Sequence, residues 1–136
     1  MIDYRAGNEL DVDEVLDLYR ASSMGERRPV DDRDRITRML RNANLVISAW
    51  EGPLLIGLAR SVTDFAYCTY LSDLAVRATH QRSGIGKELV RRTQASAPEA
   101  TLILLAAPKA VDYYPRIGFT RHDSAWILRA GDQVVP

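Results

Sequence analysis

Two glycines one residue apart, Gly84 and Gly86, stand in the run Gln81-Arg82-Ser83-Gly84-Ile85-Gly86-Lys87, just before an amphipathic stretch that reads as a helix. Glycines where a chain enters a helix let backbone N–H groups approach a ligand with no side chain in the way. The first N–H groups of a helix lack intrahelical partners, and the macrodipole adds partial positive charge there. Such an end binds phosphate, and Arg82 and Lys87 add full charges. The segment therefore reads as the seat of a pyrophosphate-bearing cofactor, against the plainer reading of a loop that needs glycine for its geometry. Two nucleotide fingerprints do not fit. A GxGxxG run would need glycine where Leu89 stands, and a GxxxxGK[ST] loop would need glycine at Gln81 and a hydroxyl residue at Glu88.

The elements that must position this turn follow from periodicity and breakers. The residues from Tyr70 to Val76 read as a strand leading into it, and the helix begins at about Gly84. Upstream, Met1 to Ala6 alternates as an opening strand. Asp11 or Asp13 could cap a helix whose apolar face is Val12, Val15, Leu16, Leu18 and Tyr19. Ala21 to Val30 breaks that pattern with Gly25 and Pro29 and reads as a loop. A second helix is expected from about Asp32 to Asn42, with Ile36, Met39 and Leu40 facing inward. Leu45 to Trp50 and Leu54 to Val62, joined by Glu51-Gly52-Pro53, form a hairpin. Downstream, Thr101 to Ala106 is a continuous apolar run, the pattern of a strand buried on both faces. Lys109 to Arg116 reads as a short helix closed by Gly118, and Phe119 to Arg121 with Ala125 to Arg129 as a last hairpin. The order of elements gives a mixed α/β or α+β sheet with helices on its faces.

With 136 residues the chain is expected to form a single domain over 1–136. The 18 basic and 18 acidic side chains cancel, so no global field favours nucleic acid or an anionic membrane, and an anion site must be local. The single Cys68 excludes an intramolecular disulfide and a cysteine zinc cluster. His80 and His122 lack ligand spacing, so no metal is expected. No apolar run reaches about 18 residues and no signal-peptide pattern is present, which leaves a cytoplasmic location as the expectation.

Gln81-Arg82-Ser83-Gly84-Ile85-Gly86 resembles the [QR]-x-x-G-x-[GA] motif of the GNAT superfamily of acyl-CoA-dependent N-acetyltransferases, and Leu71 to Val76 resembles that family's central strand. Ala110 to Phe119, AVDYYPRIGF, is similar to its A-x-x-[FY]-Y-x-x-x-G-F signature. Two motifs in the right order are far more specific than either alone. The resemblance implies a mostly antiparallel, splayed sheet of about six or seven strands flanked by about four helices. It implies acetyl-CoA as the acyl donor and a primary amine as acceptor, attacked directly in a ternary complex.

The roles carried over are residue-specific. Backbone N–H groups from Arg82 through Ser83, Gly84, Ile85 and Gly86 to Lys87 would grip the pyrophosphate, with Gln81 completing the motif. Leu74, Ala75 and Val76 would pair the pantetheine arm as an added strand, and Tyr113 would also contact the cofactor. Tyr114 matches the tyrosine that in many members stands as general acid near the sulfur. A phenol of pKa about 10 can share a proton with a thiol of pKa about 8.5. A base is needed too, because an alkylammonium of pKa about 10.4 is neutral in roughly one molecule per few thousand at pH 7. Asp73 is the carboxylate best placed by sequence, with Glu26, Asp64 and ordered water as alternatives.

On the acceptor side, Glu26, Phe65 and Tyr67 lie in regions that flank the family's acceptor pocket, and the aromatics would favour an aromatic or apolar amine. The chain departs from the pattern at Ala107, where many relatives carry asparagine, and at Pro108 and Pro115. Two rival readings remain: a protein acetyltransferase acting on lysine or N-terminal amines, and a non-catalytic acyl-CoA sensor with the same fold. Exposed sheet edges are compatible with a homodimer.

Overall fold

The computed structural model describes residues 1–136, which divide into two units, residues 1–105 and 106–136. In the first, β1 (Ile2–Ala6) leads to α1 (Val12–Arg20), a 3-10 turn (Ser23–Glu26) and α2 (Arg33–Asn42). Then come β2 (Leu45–Glu51), β3 (Leu54–Thr63), β4 (Cys68–Val76), α3 (Ile85–Ser96) and β5 (Thr101–Ile103). The five strands form one sheet in sequence order. β1 to β4 run antiparallel, and β5 joins β4 in parallel.

Local chemistry sets the helix starts. The Asp11 carboxylate accepts the Asp13 N–H at 2.8 Å, and Asp32 accepts the Arg35 N–H at 3.1 Å. Each cap satisfies a donor that the first turn leaves over. Val15, Leu18 and Tyr19 of α1 and Ile36 and Leu40 of α2 are buried against Val46, Leu58 and Ala75 on one face of the sheet. Each such aliphatic side chain stabilises the fold by roughly 1.5–3 kcal/mol. On the opposite face α3 lies close to the sheet because Gly57 has no side chain. A Cβ there would stand 3.0 Å from Leu89 Cδ1 and 3.2 Å from Ile85 Cγ2.

The sheet has five strands, fewer than the six or seven expected. β5 accounts for part of the difference in character: only Thr101–Ile103 pairs, and Ile103 and Leu105 are about half exposed (50% and 46%) rather than buried on both faces. As the edge strand it has one neighbour, so its apolar run is not sandwiched.

In the second unit, α4 (Tyr113–Arg116) is a single turn closed by Gly118 at φ +107°. The Phe119 N–H reaches the Tyr114 carbonyl at 3.0 Å and the Gly118 N–H the Pro115 carbonyl at 3.2 Å, the paired bonds of a Schellman cap. The Phe119 ring completes it by packing edge-on to Tyr114 at 5.4 Å. Pro115 falls within the first turn, where its missing N–H would have had no partner. The expected hairpin of Phe119–Arg121 with Ala125–Arg129 does not form. An isolated two-stranded hairpin is marginal, and local bonds take its place: Ser124 N–H to His122 Nδ1, and Arg129 N–H to the Asp132 carboxylate.

Candidate functional site

β4 is nine residues long, yet β5 pairs only with Cys68, Thr69 and Tyr70. Beyond Tyr70 the strand has a partner on one side alone. Strand geometry shows which groups face the free side. The Arg77 N–H donates to the Ile56 carbonyl of β3 at 2.9 Å, and polar groups alternate along a strand. Those of Val76 and Leu74 therefore point away from β3. The Gln81 side-chain amide bears this out by donating to the Val76 carbonyl at 3.0 Å. Ala75 is corrected by the same alternation: its backbone turns toward β3 and its methyl is buried, so it offers the free edge nothing.

The chain leaves β4 through Ala78–His80 and reaches α3 by way of two left-handed residues, Arg82 (φ +63°) and Gly84 (φ +85°). Gly84 caps α3 without any side-chain bond, unlike the starts of α1 and α2, and the first intrahelical bond runs from the Glu88 N–H to the Gly84 carbonyl. Nothing lies within 4 Å of a Cβ placed on Gly84, so the space in front of the turn is open. Arg82, Ser83 and Lys87 are exposed, while the Ile85 side chain anchors the turn in the core. The Ser83 hydroxyl donates to the His80 carbonyl at 2.6 Å, fixing the turn's shape. A backbone cradle at an uncapped helix start, next to a strand edge that is free to pair, can hold a pyrophosphate and an extended amide-bearing arm together.

Asp73 does not fit the role of base. Its side chain is fully buried on the α1/α2 side of the sheet. Oδ2 accepts from the Tyr19 hydroxyl at 2.6 Å and from Arg60 Nε at 2.5 Å. Oδ1 accepts from Arg28 Nε at 2.7 Å and from the Ser72 hydroxyl at 3.2 Å. Burial alone would raise its pKa, but the hydrogen bond and charge of Arg60, the charge of Arg28 and the Tyr19 hydroxyl hold it below the ordinary carboxylate value. Burial and the adjacent carboxylate push the Tyr19 phenol well up. A carboxylate with four donors and a lowered pKa is a poor proton acceptor.

Asp64 is similarly engaged. It caps the β3–β4 turn by accepting the N–H groups of Ala66, Tyr67 and Cys68, which lower its pKa to about 2. Glu26 is exposed at the end of the 3-10 turn. Phe65 (φ +60°) and Tyr67 lie exposed in the β3–β4 turn. Tyr113 and Tyr114 belong to α4, and partial burial raises the Tyr113 phenol.

Tyr19, expected only as part of the apolar face of α1, and Arg28 and Arg60, given no role from the sequence, are the partners that define Asp73. Arg60 left a signal: it is the one charge in the apolar run Leu54–Val62. The structure has no group of three or more His, Cys, Asp or Glu able to hold a metal ion, and no helix long and apolar enough to cross a membrane.

A model of the acetyltransferase (GNAT) domain matches residues 28–136. An N-acetyltransferase of Prochlorococcus marinus described as uncharacterised and ycf52-like is 29% identical over 118 residues, covering 82% of this chain. The chain spans only 63% of that relative's length. Among solved structures, a GNAT family acetyltransferase of Streptococcus pneumoniae superposes with a TM-score of 0.75 at 25% identity, covering 95% of this chain and 99% of its own. An aminoglycoside N-acetyltransferase crystallised in complex with CoA superposes at 0.74 with 15% identity, covering 95% and 94%.

Proposed function

The chain belongs to the GNAT acetyltransferase domain family, and from that membership we propose that it transfers an acetyl group from acetyl-CoA to a primary amine. Attack would be direct, with both substrates bound. The observation that carries the reading is the conjunction of an uncapped α3 start at Gly84 with the free edge of β4 at Leu74 and Val76. Acetyl-CoA supplies an activated thioester carbonyl. This chain's part is to hold the pyrophosphate on the N–H groups of residues 82–87, to pair the arm along Leu74 and Val76, and to exclude water from the reacting end. Tyr114 enters as proton donor to the leaving sulfur, and Tyr113 as a further cofactor contact, on the family resemblance alone.

On the acceptor side, the engagement of Asp73 and Asp64 leaves Glu26 as the carboxylate of the candidate set that is exposed and without a bond to another side chain. We assign it to attracting a cationic amine, with deprotonation through ordered water. Phe65 and Tyr67 would favour an aromatic or apolar amine.

The decisive experiment is an acceptor screen with acetyl-CoA that follows free thiol release, with small amines, aminoglycosides and lysine peptides as separate arms. Release with small amines alone supports the reading. Release only with peptides moves the acceptor to a protein. Tight acetyl-CoA binding without release from any arm establishes the rival, a non-catalytic acyl-CoA sensor. That rival draws support from the occupied state of Asp73.

A further inference from the structure

Residues 21–30 run beside β4, tied at one end to the turn that follows it and at the other to the strand itself. At the start, the Ala21 carbonyl accepts the Ala78 N–H at 2.9 Å, at the root of the turn that carries Gly84. Near the end, the Arg28 guanidinium forks: Nε donates to Asp73 Oδ1 and Nη2 to the Ser72 carbonyl, both at 2.7 Å. Ser72 is the point where the β3–β4 register shifts, two residues past the last β4 residue that pairs with β5. The segment thus spans the stretch of β4 whose edge is free. Its apolar anchorage is slight. Met24 is its one buried hydrophobic side chain, Val30 packs only partly against the core, and Gly25 sits so close to α1 that a Cβ would stand 3.0 Å from the Tyr19 carbonyl oxygen. A segment with so little apolar burial would open easily unless something else held it.

We propose that Arg28 is a positioning residue for the acceptor side: its fork on Asp73 and the Ser72 carbonyl holds residues 23–27 as a fixed strap, with Glu26 presented outward to the incoming amine. The anchor is itself rigid, because Asp73 is bound by Tyr19 from α1 and by Arg60 from β3, whose own Nη1 reaches the Met39 carbonyl of α2 at 3.2 Å. This assigns the buried carboxylate a use other than proton transfer. It also separates two jobs: the Arg60 and Tyr19 bonds serve the core, and the Arg28 bond serves the strap. Removing Arg28 leaves Asp73 with three donors, so the strap can be released without stranding a buried charge. The assignment of the strap to the acceptor rests on the acetyl-transfer reading; its mechanical part does not.

The test uses the full chain and two variants, Arg28→Gln and Arg28→Lys, followed by amide hydrogen exchange and by kinetics. In Arg28→Gln, the amides from Met24 to Val30 should exchange at least tenfold faster, with those of β2 and α3 unchanged. Arg28→Lys should fall between, since an ammonium replaces the charge but not the fork. With phenethylamine as acceptor probe at saturating acetyl-CoA, Arg28→Gln should raise KM about tenfold or more with kcat within threefold, and acetyl-CoA affinity by calorimetry should stay within twofold. Unchanged exchange in the strap overturns the proposal. So does uniform acceleration throughout the chain, or an equal loss of acetyl-CoA affinity. If the wild-type chain acetylates no amine, the transfer reading fails, and the exchange comparison still decides whether Arg28 holds the strap.

Discussion

On the α1/α2 side of β4, Asp73 receives four hydrogen bonds from Tyr19, Arg28, Arg60 and Ser72, and no solvent reaches it. Along the free edge of the same strand, one residue on in either direction from Ala75, Leu74 and Val76 have only the Gln81 amide for company. The same contrast recurs at the helix starts, where α1 and α2 carry aspartate caps and α3 carries none. The difference separates the part of the fold whose polar groups are satisfied within the chain from the part whose backbone groups are left open. A satisfied buried carboxylate is structural. The open backbone donors of Leu74 and Val76 beside an uncapped helix are where the proposed cofactor would dock.

The sharpest way to break this contrast is to empty the filled side. Asp73→Ala leaves Arg60 buried without its counter-ion and should lower stability by about 3–5 kcal/mol, measured by urea unfolding. Acetyl-CoA affinity of the remaining folded fraction should stay near wild type. A variant of undiminished stability would remove Asp73 from the scaffold. The pH dependence carries the same sign. Folded-state pKa values are lowered for Asp73 as well as for Asp64 and Glu88, the last two to about 2. Their contribution is therefore complete above the unfolded carboxylate range near 4 and is lost as pH falls toward 2. Unfolding followed from pH 5 to pH 2 should show a steeper acid limb for the wild type than for Asp73→Asn.

The open side is broken by Gly86→Glu. Glutamate is a good helix former, and a negative charge in the first turn suits the macrodipole, so the fold should be unharmed or slightly steadier. The carboxylate would occupy the space of a phosphate and repel it. Acetyl-CoA affinity should fall at least a hundredfold by calorimetry. The protection of about 2.7 kcal/mol expected at a hundred times the dissociation constant should vanish with it. Retained affinity would remove the α3 start from the cofactor site.

How much of this was legible in the sequence follows the same division. The open side is local: two glycines, a strand and a helix lie within residues 70–93, so the strand, the turn and the start of the helix can be read from neighbouring residues, and the family resemblance rests on the same stretch. The α1 cap, narrowed to Asp11 or Asp13, and the β2–β3 hairpin were legible for the same reason, whereas the Asp32 cap of α2 was not marked in advance. The filled side is assembled from Tyr19, Arg28, Arg60 and Asp73, which are scattered along the chain, and no periodicity announces that they meet. Position along β4 made Asp73 look reactive, whereas only the fold shows that two guanidinium groups already claim it. The apolar run at Thr101–Ala106 misled differently, since hydrophobicity reports the capacity to be buried and not the number of neighbours a strand will have.

A finer test separates charge from backbone at the turn itself. Arg82 is exposed and non-glycine at φ +63°, a conformation that disfavours any side chain. Arg82→Ala keeps that strain and removes only the charge, so it should weaken acetyl-CoA by about two- to fivefold, the range of an exposed charge near a helix terminus. The difference from wild type should shrink as ionic strength rises. Arg82→Gly removes the same charge and relieves the strain, and should match Arg82→Ala in affinity while being the more stable of the two by thermal unfolding. If the two variants instead differ in affinity, the shape of the turn governs phosphate binding more than the arginine does. The N–H cradle would then be the larger part of the site.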